Sequence, residues 1–255
     1  MEYCSFVNVD PETKQERMQH ITPDFPYGAD LCDLHIFPGN TFPWHWHREL
    51  EIFYMRKGSL TYHLPCGAVT FLQGEGGFIN SNILHKTTCT PEADCIQEEQ
   101  QFLPEFVGVN SLLQRKYVQP ILSSPELSFV KFDPATPEHR PLLELLCSSY
   151  RLYEEKPEGY ELELPQRLLQ FWRLLFELTQ PLHKSGHTSA DDQRIKQMLT
   201  FIAAHYAEPL QLSQIAAAAY MSPRACGRCF QSRLGTTPTA YLTDYRTQQA
   251  GQLLA

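Results

Sequence analysis

The hydrophobic period of this chain changes once, near Pro137, and that change limits the folds open to it. Before it, short apolar runs lie between Gly and Pro punctuation: residues 33–37 (DLHIF), 51–55 (EIFYM), 60–64 (LTYHL) and 68–72 (AVTFL). Strands recurring at about ten-residue spacing predict a sandwich or barrel over residues 28 to about 133. After it, Leu142, Leu143, Leu145, Leu146 and Tyr150, then Leu168, Leu169, Phe171, Trp172, Leu175 and Phe176, recur at helical spacing. Two helices follow, at about 139–155 and 163–181. The polar stretch HKSGHTSADD, residues 183–192, is the best domain boundary. Three parts are expected: residues 1–135, 136–185 and 186–255. No internal repeat or low-complexity tract interrupts them.

The bulk numbers narrow the function classes. A chain of 255 residues at 42% hydrophobic buries a real core, in one large or two ordinary domains. Its 20% charged and 12% aromatic residues exclude a disordered class. No apolar run approaches the ~20 residues of a membrane span. The first twenty residues lack the basic start, apolar stretch and cleavage site of a secretion signal. Both points predict a cytoplasmic chain with no membrane partner. Cys4, Cys32, Cys66, Cys89, Cys95, Cys147, Cys226 and Cys229 are scattered along the chain, as expected of reduced thiols rather than a disulfide frame. From residue 191 onward six Lys and Arg face four Asp and Glu, so a tail of +2 follows a body of −10. That asymmetry lets nucleic acid meet the tail only.

In the β part, HWHRELE at 45–51 carries the chemistry. Side chains two apart on a strand share a face, so His45 and His47 point the same way, and Glu51 has their parity. Such a set could hold a metal ion, or it could be the polar wall of a pocket. Trp44, Trp46, Tyr54 and Tyr62 lie close in sequence, and aromatic faces with polar tips suit a carbohydrate. His20, His63, His139, His183, His187 and His205 have no such spacing and are expected to be surface or satisfied histidines. The intervals Gly39, five residues, His45-x-His47, three residues, Glu51, six residues, Gly58 resemble the first motif of the cupin family. The resemblance implies a double-stranded β-barrel. The family's second motif adds a histidine after a Pro-x-Gly turn. Asn80-Ser-Asn-Ile-Leu-His85 keeps that histidine's spacing and puts Asn at both turn positions, which Asn tolerates. On this resemblance His45, His47, Glu51 and His85 are ligands for Fe, Mn, Ni or Zn. The function expected here requires no cofactor, and a divalent metal in the pocket stays open.

The C-terminal part divides into helices. Ile195, Met198, Leu199 and Ile202 form one apolar face after Asp191 and Asp192, and Glu208-Pro209 ends that helix. Leu212, Ile215, Ala216 and Ala219 form the face of a short second one. A tight turn at Tyr220-Met221 leads to Ser222-Pro223, an N-cap with Pro at the first helical position. The third helix runs to Gly235, a C-cap. Helix, tight turn and helix in this order make a helix-turn-helix. On the third helix Cys226, Cys229, Phe230 and Leu234 share one face. Arg224, Gly227, Arg228 and Gln231 share the other, where Arg reads guanine and Gln reads adenine in a major groove. With Ser222 and Ala225 they are the expected DNA-contacting set. Cys226-Gly-Arg-Cys229 has no second Cys or His pair nearby, so two small buried thiols explain it better than zinc.

Residues 208–255 resemble AraC-type transcriptional regulators. The matches are Ile215-Ala216, Ser222-Pro223, Arg228, Phe230, Gly235, Pro238, Tyr241-Leu242, Arg246, Ala250 and Leu253-Leu254. Residues 102–132 resemble the segment that follows the cupin in sugar-sensing members. Cys226 and Cys229 depart from the larger apolar residues usual in the family, and Gly227 weakens its helix by about 1 kcal/mol relative to Ala. Family members carry a second helix-turn-helix after the linker helix. This sequence ends inside or just after that linker, roughly 40 to 50 residues short by the size of the first unit.

The fold expected is therefore mixed. A cupin-like barrel (1–135) precedes a helical dimerisation or packing segment (136–185), followed by an incomplete all-α DNA-binding domain (186–255). The function implied is a ligand-responsive, sequence-specific transcription regulator. Its partners are DNA, a small effector such as a sugar, and a second copy of the chain. The helices' apolar stripes serve the dimer contact or simply pack on the barrel. Two other readings stay open: a metal-dependent cupin oxygenase or isomerase, and a shortened regulator that binds ligand but not DNA. A sensor must release its ligand unchanged, which favours a non-enzyme.

Overall fold

Eight strands form one antiparallel sheet: β1 (Tyr27–Asp33), β2 (Thr41–His45), β3 (Leu50–Leu64), β4 (Gly67–Leu72), β5 (Gly76–Ile79), β6 (His85–Thr88), β7 (Cys95–Phe102) and β8 (Phe129–Phe132). The computed structural model describes residues 8–10, 14–16, 18, 21–22, 24–65, 67–90, 94–124, 126–182, 190–234 and 236–253. Cys4, His20, Cys66, His183, His187, Gly235, Leu254 and most of the 183–192 boundary lie outside these residues. The main path of the sheet runs β1-β7-β3-β5-β8; β4 and β6 also pair with β3, and β2 pairs with β6. The long strand β3 therefore serves four neighbours.

Three strand boundaries differ from the sequence expectation. Residues 33–37 are not a strand: β1 ends at Asp33, whose carboxylate accepts the His35 backbone N–H at 3.0 Å and starts a 3-10 turn at Leu34–Ile36. That local bond competes with the sheet ladder. Residues 51–55 and 60–64 are one strand rather than two. Gly58 looked like a break, but it continues the strand with φ +75° just after a bulge between Met55 and Lys57. Residues 28–133 are also not all β. Short helical turns fill Ser111–Leu122 before β8 returns to pair with β5.

Alternation along the strands gives the sheet two unlike faces. Residues of β1, β2, β3, β6 and β7 surround a polar interior. The opposite face is apolar and carries two helices, α1 (Arg140–Glu155) and α2 (Tyr160–Thr179). Leu142, Leu146, Leu168, Phe171, Trp172 and Leu175 join one core with Ile52, Phe78, Phe102 and Phe132. Each such side chain contributes about 1.5–3 kcal/mol by leaving water. The stripes that offered a dimer contact are thus used in packing on the sheet. A buried hydrogen-bond knot fixes this packing. Gln100 donates to the Leu146 carbonyl at 2.9 Å, while its side-chain oxygen accepts from Tyr27 and Ser149, each at 2.7 Å. The second helix begins three residues earlier than expected, where Glu161 and Glu163 suit its N-terminal dipole.

The chain divides into two compact units, the first mainly of residues 18–63 and 68–187, the second of 188–255 with 8–17 and 64–67. The second unit contains α3 (Ala190–His205), α4 (Leu212–Ala218), α5 (Pro223–Leu234) and α6 (Pro238–Leu253). Its core gathers Ile195, Met198, Leu199, Ile202, Ile215, Ala216, Ala219, Cys226, Cys229, Phe230, Leu242 and Tyr245. Leu212 does not join it and stays 37% exposed, because it stands at the first position of a short helix. At the start of α5 the Ser222 hydroxyl accepts the Ala225 N–H at 3.3 Å. Ser222→Ala is expected to cost this unit about 1 kcal/mol, the usual value of an N-cap, read as a lower urea midpoint at unchanged slope. No helix among the described residues is long and apolar enough to cross a membrane.

Candidate metal centre and DNA-binding face

His45 closes β2, His85 opens β6, and the two strands place them opposite each other. Their rings lie 4.1 Å apart between centroids. His47 follows in the turn, and Glu51 enters from β3. All four are buried, with no more than 4% exposure. Ligand atoms of His45, His47 and His85 lie within 4.8 Å of one another. Glu51 Oε2 stands 3.1 Å from His47 Nε2 and 3.4 Å from His85 Nε2. Donors around one ion at 2.0–2.2 Å stand roughly 2.8–3.6 Å apart, and the two Glu51 separations meet that range.

The outer nitrogens settle the tautomers. Each Nδ1 meets a backbone carbonyl: His45 that of Pro43 at 2.9 Å, His47 that of Glu49 at 3.0 Å, and His85 that of Ile83 at 2.8 Å. A carbonyl only accepts, so each Nδ1 carries hydrogen, and each neutral ring turns an Nε2 lone pair inward. Three lone pairs and a carboxylate then converge. Two acceptors do not sit 3.1 Å apart unless something positive is shared between them, either a proton or a metal ion. With no ion bound, a proton on Nε2 of His47 or His85 takes the ion's place: burial raises the carboxyl pKa of Glu51, but hydrogen bonds from these rings, made when they carry that proton, outweigh it and hold the group below the usual carboxylate range. Burial, then the neighbouring His85 and His47, holds His45 well below the ordinary imidazole value. An ionised carboxylate and neutral imidazoles are the forms that bind metal.

Tyr62 supports this set. Its hydroxyl donates to Glu51 Oε1 at 2.5 Å, and burial, then the nearby Glu51, raises its pKa well above the ordinary phenol value. The remaining aromatic candidates stand elsewhere. Trp44 and Trp46 alternate with His45 and His47, are half-buried, and do not line the cavity; Lys86 sits 5.8 Å over the Trp44 ring. Tyr54 has the parity opposite to Glu51 and lines a groove against α1 instead. The same period of two that aligned the histidines turned these three away.

The enclosed space beside the histidines is about 20 Å³, lined also by Cys32, Phe42, Thr87, Gln97 and Glu99. That is room for an ion or one water, far below the ~300 Å³ at which small-molecule pockets begin. Gln97 and Glu99 were not foreseen. With Gln101 they alternate along β7 and continue the polar interior: Gln97 Nε2 donates to Glu99 Oε2 at 2.9 Å, and Gln101 Nε2 donates to Glu99 Oε1. Gln101 Oε1 is buried with no hydrogen-bond partner among the described residues. Residues 97–101 (QEEQQ) are polar without a break, so no alternation in the sequence marked the three that face inward.

On α5 the division of faces follows the helical period. Cys226, Cys229 and Phe230 are buried, whereas Ser222, Arg224, Arg228 and Gln231 are exposed and Ala225 and Gly227 are half-exposed. Tyr220, in the turn before α5, takes φ +54° and is 94% exposed. Of the remaining histidines, His63 hydrogen-bonds Thr88, His139 accepts from the Asp133 N–H, and His205 pairs with Glu208.

No family model matches the chain. A curated relative, an uncharacterised helix-turn-helix-type transcriptional regulator, YdeC, of Bacillus subtilis (strain 168), is 28% identical over 240 residues, 94% of this chain and 82% of that one. Among solved structures, fatty-acid-bound ToxT of Vibrio cholerae strain SCE256 is 15% identical, covering 88% of this chain and 97% of its own, with a TM-score of 0.32. The AraC-like transcriptional activator CuxR is 12% identical, covering 88% of this chain and 73% of its own, with a TM-score of 0.33. A cupin-2 domain protein of Shewanella frigidimarina is 22% identical, covering 34% of this chain and 74% of its own, with a TM-score of 0.26. In sequence the chain resembles helix-turn-helix transcription regulators along nearly its whole length.

Proposed function

We propose that this chain is a ligand-responsive, DNA-binding transcription regulator of AraC type, with α5 as its recognition helix. The observation that carries this reading is the face of α5. Arg224, Arg228 and Gln231 stand exposed while Cys226, Cys229 and Phe230 anchor the opposite side. A helix held in this way can present base-reading side chains to a major groove without loss of its own packing. The relative in Bacillus subtilis supports the same class. Arg228→Ala is the test. Its affinity for the promoter next to its own gene, measured by electrophoretic shift at fixed salt, is expected to fall about ten- to a hundredfold. Thermal unfolding of the barrel should not change. Equal loss of barrel stability would defeat the division of labour between the two units.

The barrel is the sensing part in this reading. His45, His47, Glu51 and His85 fit a divalent metal ion, which when bound supplies a Lewis-acid point of attachment for an oxygen-bearing molecule. The chain's own residues do the rest. The backbone carbonyls orient the imidazoles, Tyr62 holds Glu51 in place, and Gln97 and Glu99 offer polar contacts beside the site. A sugar, suggested earlier by four aromatic residues, keeps only Tyr62 at the cavity wall and does not enter 20 Å³ without movement of the strands. The unpartnered Gln101 oxygen next to Glu99 asks for a hydroxyl or amine donor, which supports a small polar effector of that kind. Effector binding then raises or lowers the population of the DNA-competent state through its different affinity for the two states. DNA and a second copy of the chain complete the partners of this reading.

The enzyme reading has one observation in its favour, the three convergent imidazoles. A ligand recovered chemically unchanged after release from the metal-loaded chain excludes it. A ligand recovered altered replaces the sensor by a cupin enzyme.

A further inference from the structure

Away from the barrel interior, four reactive side chains form a row. Asp33 Oδ1 is 3.0 Å from His35 Nδ1, and His35 Nε2 is 3.9 Å from Cys89 Sγ, within reach of a sulfur hydrogen bond. Cys95, at the start of β7 six residues on, is a second free thiol near enough for each to shift the other's titration. Asp33 and His35 are partly exposed, with side-chain accessibilities of 25% and 31%; Cys89 is half-buried and Cys95 buried. Both cysteines are free.

The order in the row assigns the roles. Asp33 accepts the Nδ1 hydrogen, which leaves the Nε2 lone pair facing the Cys89 thiol. A base oriented by a carboxylate and set against a thiol is the arrangement that activates a nucleophilic cysteine. Asp33 is the positioning residue, since it acts only through His35. The row is not a coordination site: His35 uses opposite edges of its ring for its two partners. Among the described residues, only His45, His47 and His85 bring three metal donors together. What marks this site out from a single reactive cysteine is a second free thiol near it, at the start of β7.

We propose that Cys89 is a hydroperoxide-reactive thiol, with His35 as its base and Cys95 as its resolving partner. His35 Nε2 takes the Cys89 proton, and the thiolate attacks the outer oxygen of the hydroperoxide. The O–O bond breaks, leaving Cys89 as a sulfenic acid, and the departing alkoxide or hydroxide takes the proton from His35. The Cys95 sulfur then attacks the Cys89 sulfur. The S–O bond breaks, and the leaving hydroxide departs as water with the Cys95 proton. Two thiols lose two electrons in total, and the hydroperoxide is reduced to alcohol, or to water when it is hydrogen peroxide. Burial raises both thiols, and Cys95 is the more enclosed, so Cys89 meets the oxidant first. The bond would tie the end of β6 to the start of β7, the strands that carry His85 and Gln97.

The test uses the purified full chain and hydrogen peroxide, with disulfides mapped by non-reducing peptide mass spectrometry. A Cys89–Cys95 peptide pair lighter by two hydrogens is expected at a few equivalents of peroxide. In Cys95→Ser, a sulfenic acid at Cys89 should be captured by dimedone. Cys147, half-buried and pushed up to about 11 by burial, is the internal reference for alkylation by iodoacetamide. Cys89 should react at least about tenfold faster than Cys147, the scale of base assistance. His35→Ala should remove the difference, and free imidazole in the buffer should partly restore it, which a merely structural role of His35 would not allow. Oxidation that joins other cysteines, or equal alkylation of Cys89 and Cys147 in the unaltered chain, overturns the proposal.

Discussion

The double variant His45→Ala, His47→Ala is expected to lose its bound metal. Elemental mass spectrometry of the chain purified without chelator should give close to one ion per chain, and the variant below about a tenth of that. The scale follows from the site. Loss of a mere outer-shell partner of a metal ligand costs 10–100-fold in affinity, and here two inner donors go at once. The variant should keep the fold of its barrel, because alanine leaves the carbonyls of Pro43 and Glu49 near water rather than in the apolar core. If the unaltered chain is metal-free, the converging lone pairs share a proton instead. The site is then a hydrogen-bonding pocket, and a metal-bound effector is ruled out. The proposal for α5 survives that outcome, since it rests on the other unit.

Gly58→Ala is expected to be the most damaging single substitution in the barrel. Gly58 has φ +75°, and an added Cβ would lie 1.6 Å from the Asp94 carbonyl oxygen. Left-handed backbone costs an ordinary residue roughly 1–2 kcal/mol. The clash cannot be relieved by a side-chain rotation, because the obstacle is backbone. Displacement of β7 from β3 should bring the total above about 3 kcal/mol. Gly39 is the control: its φ is +68°, but an added Cβ meets nothing within 4 Å. Gly39→Ala should cost only about 1 kcal/mol of strain. Chemical unfolding of both variants separates the two terms. Equal costs would mean that the Asp94 carbonyl yields freely.

These glycines also show how much the chain disclosed in advance. The intervals from Gly39 to Gly58 pointed to a barrel and its histidines, and the backbone gives the physical reason: both ends need positive φ. Strand parity correctly joined His45, His47 and Glu51, and helical parity separated Arg228 from Phe230. Nearness in sequence was the weaker guide. It grouped Trp44, Trp46 and Tyr54 with the pocket, although the parity already in use placed them on other faces. Gln97, Glu99 and Gln101 escaped because a run of polar residues looks solvated until the sheet that encloses it is known. Residues 111–122 were misassigned since a helix of one or two turns has too few residues to display a period.

Strand β3 has one further property. It contributes Glu51 near its beginning and Tyr62 near its end, bends between them at the Met55–Gly58 bulge, and is closed on itself by the 2.5 Å bond from Tyr62 to Glu51. Mechanically this is a drawn bow, with the hydrogen bond as its string. Flattening the bend lengthens the string, and the string ends on a metal-ligand candidate. Between these two residues the strand is tied to the site, since Glu51 itself stands against His47 and His85. Gly58→Ala, which sits at the bend, should therefore loosen the grip on the ion as well as destabilise the fold.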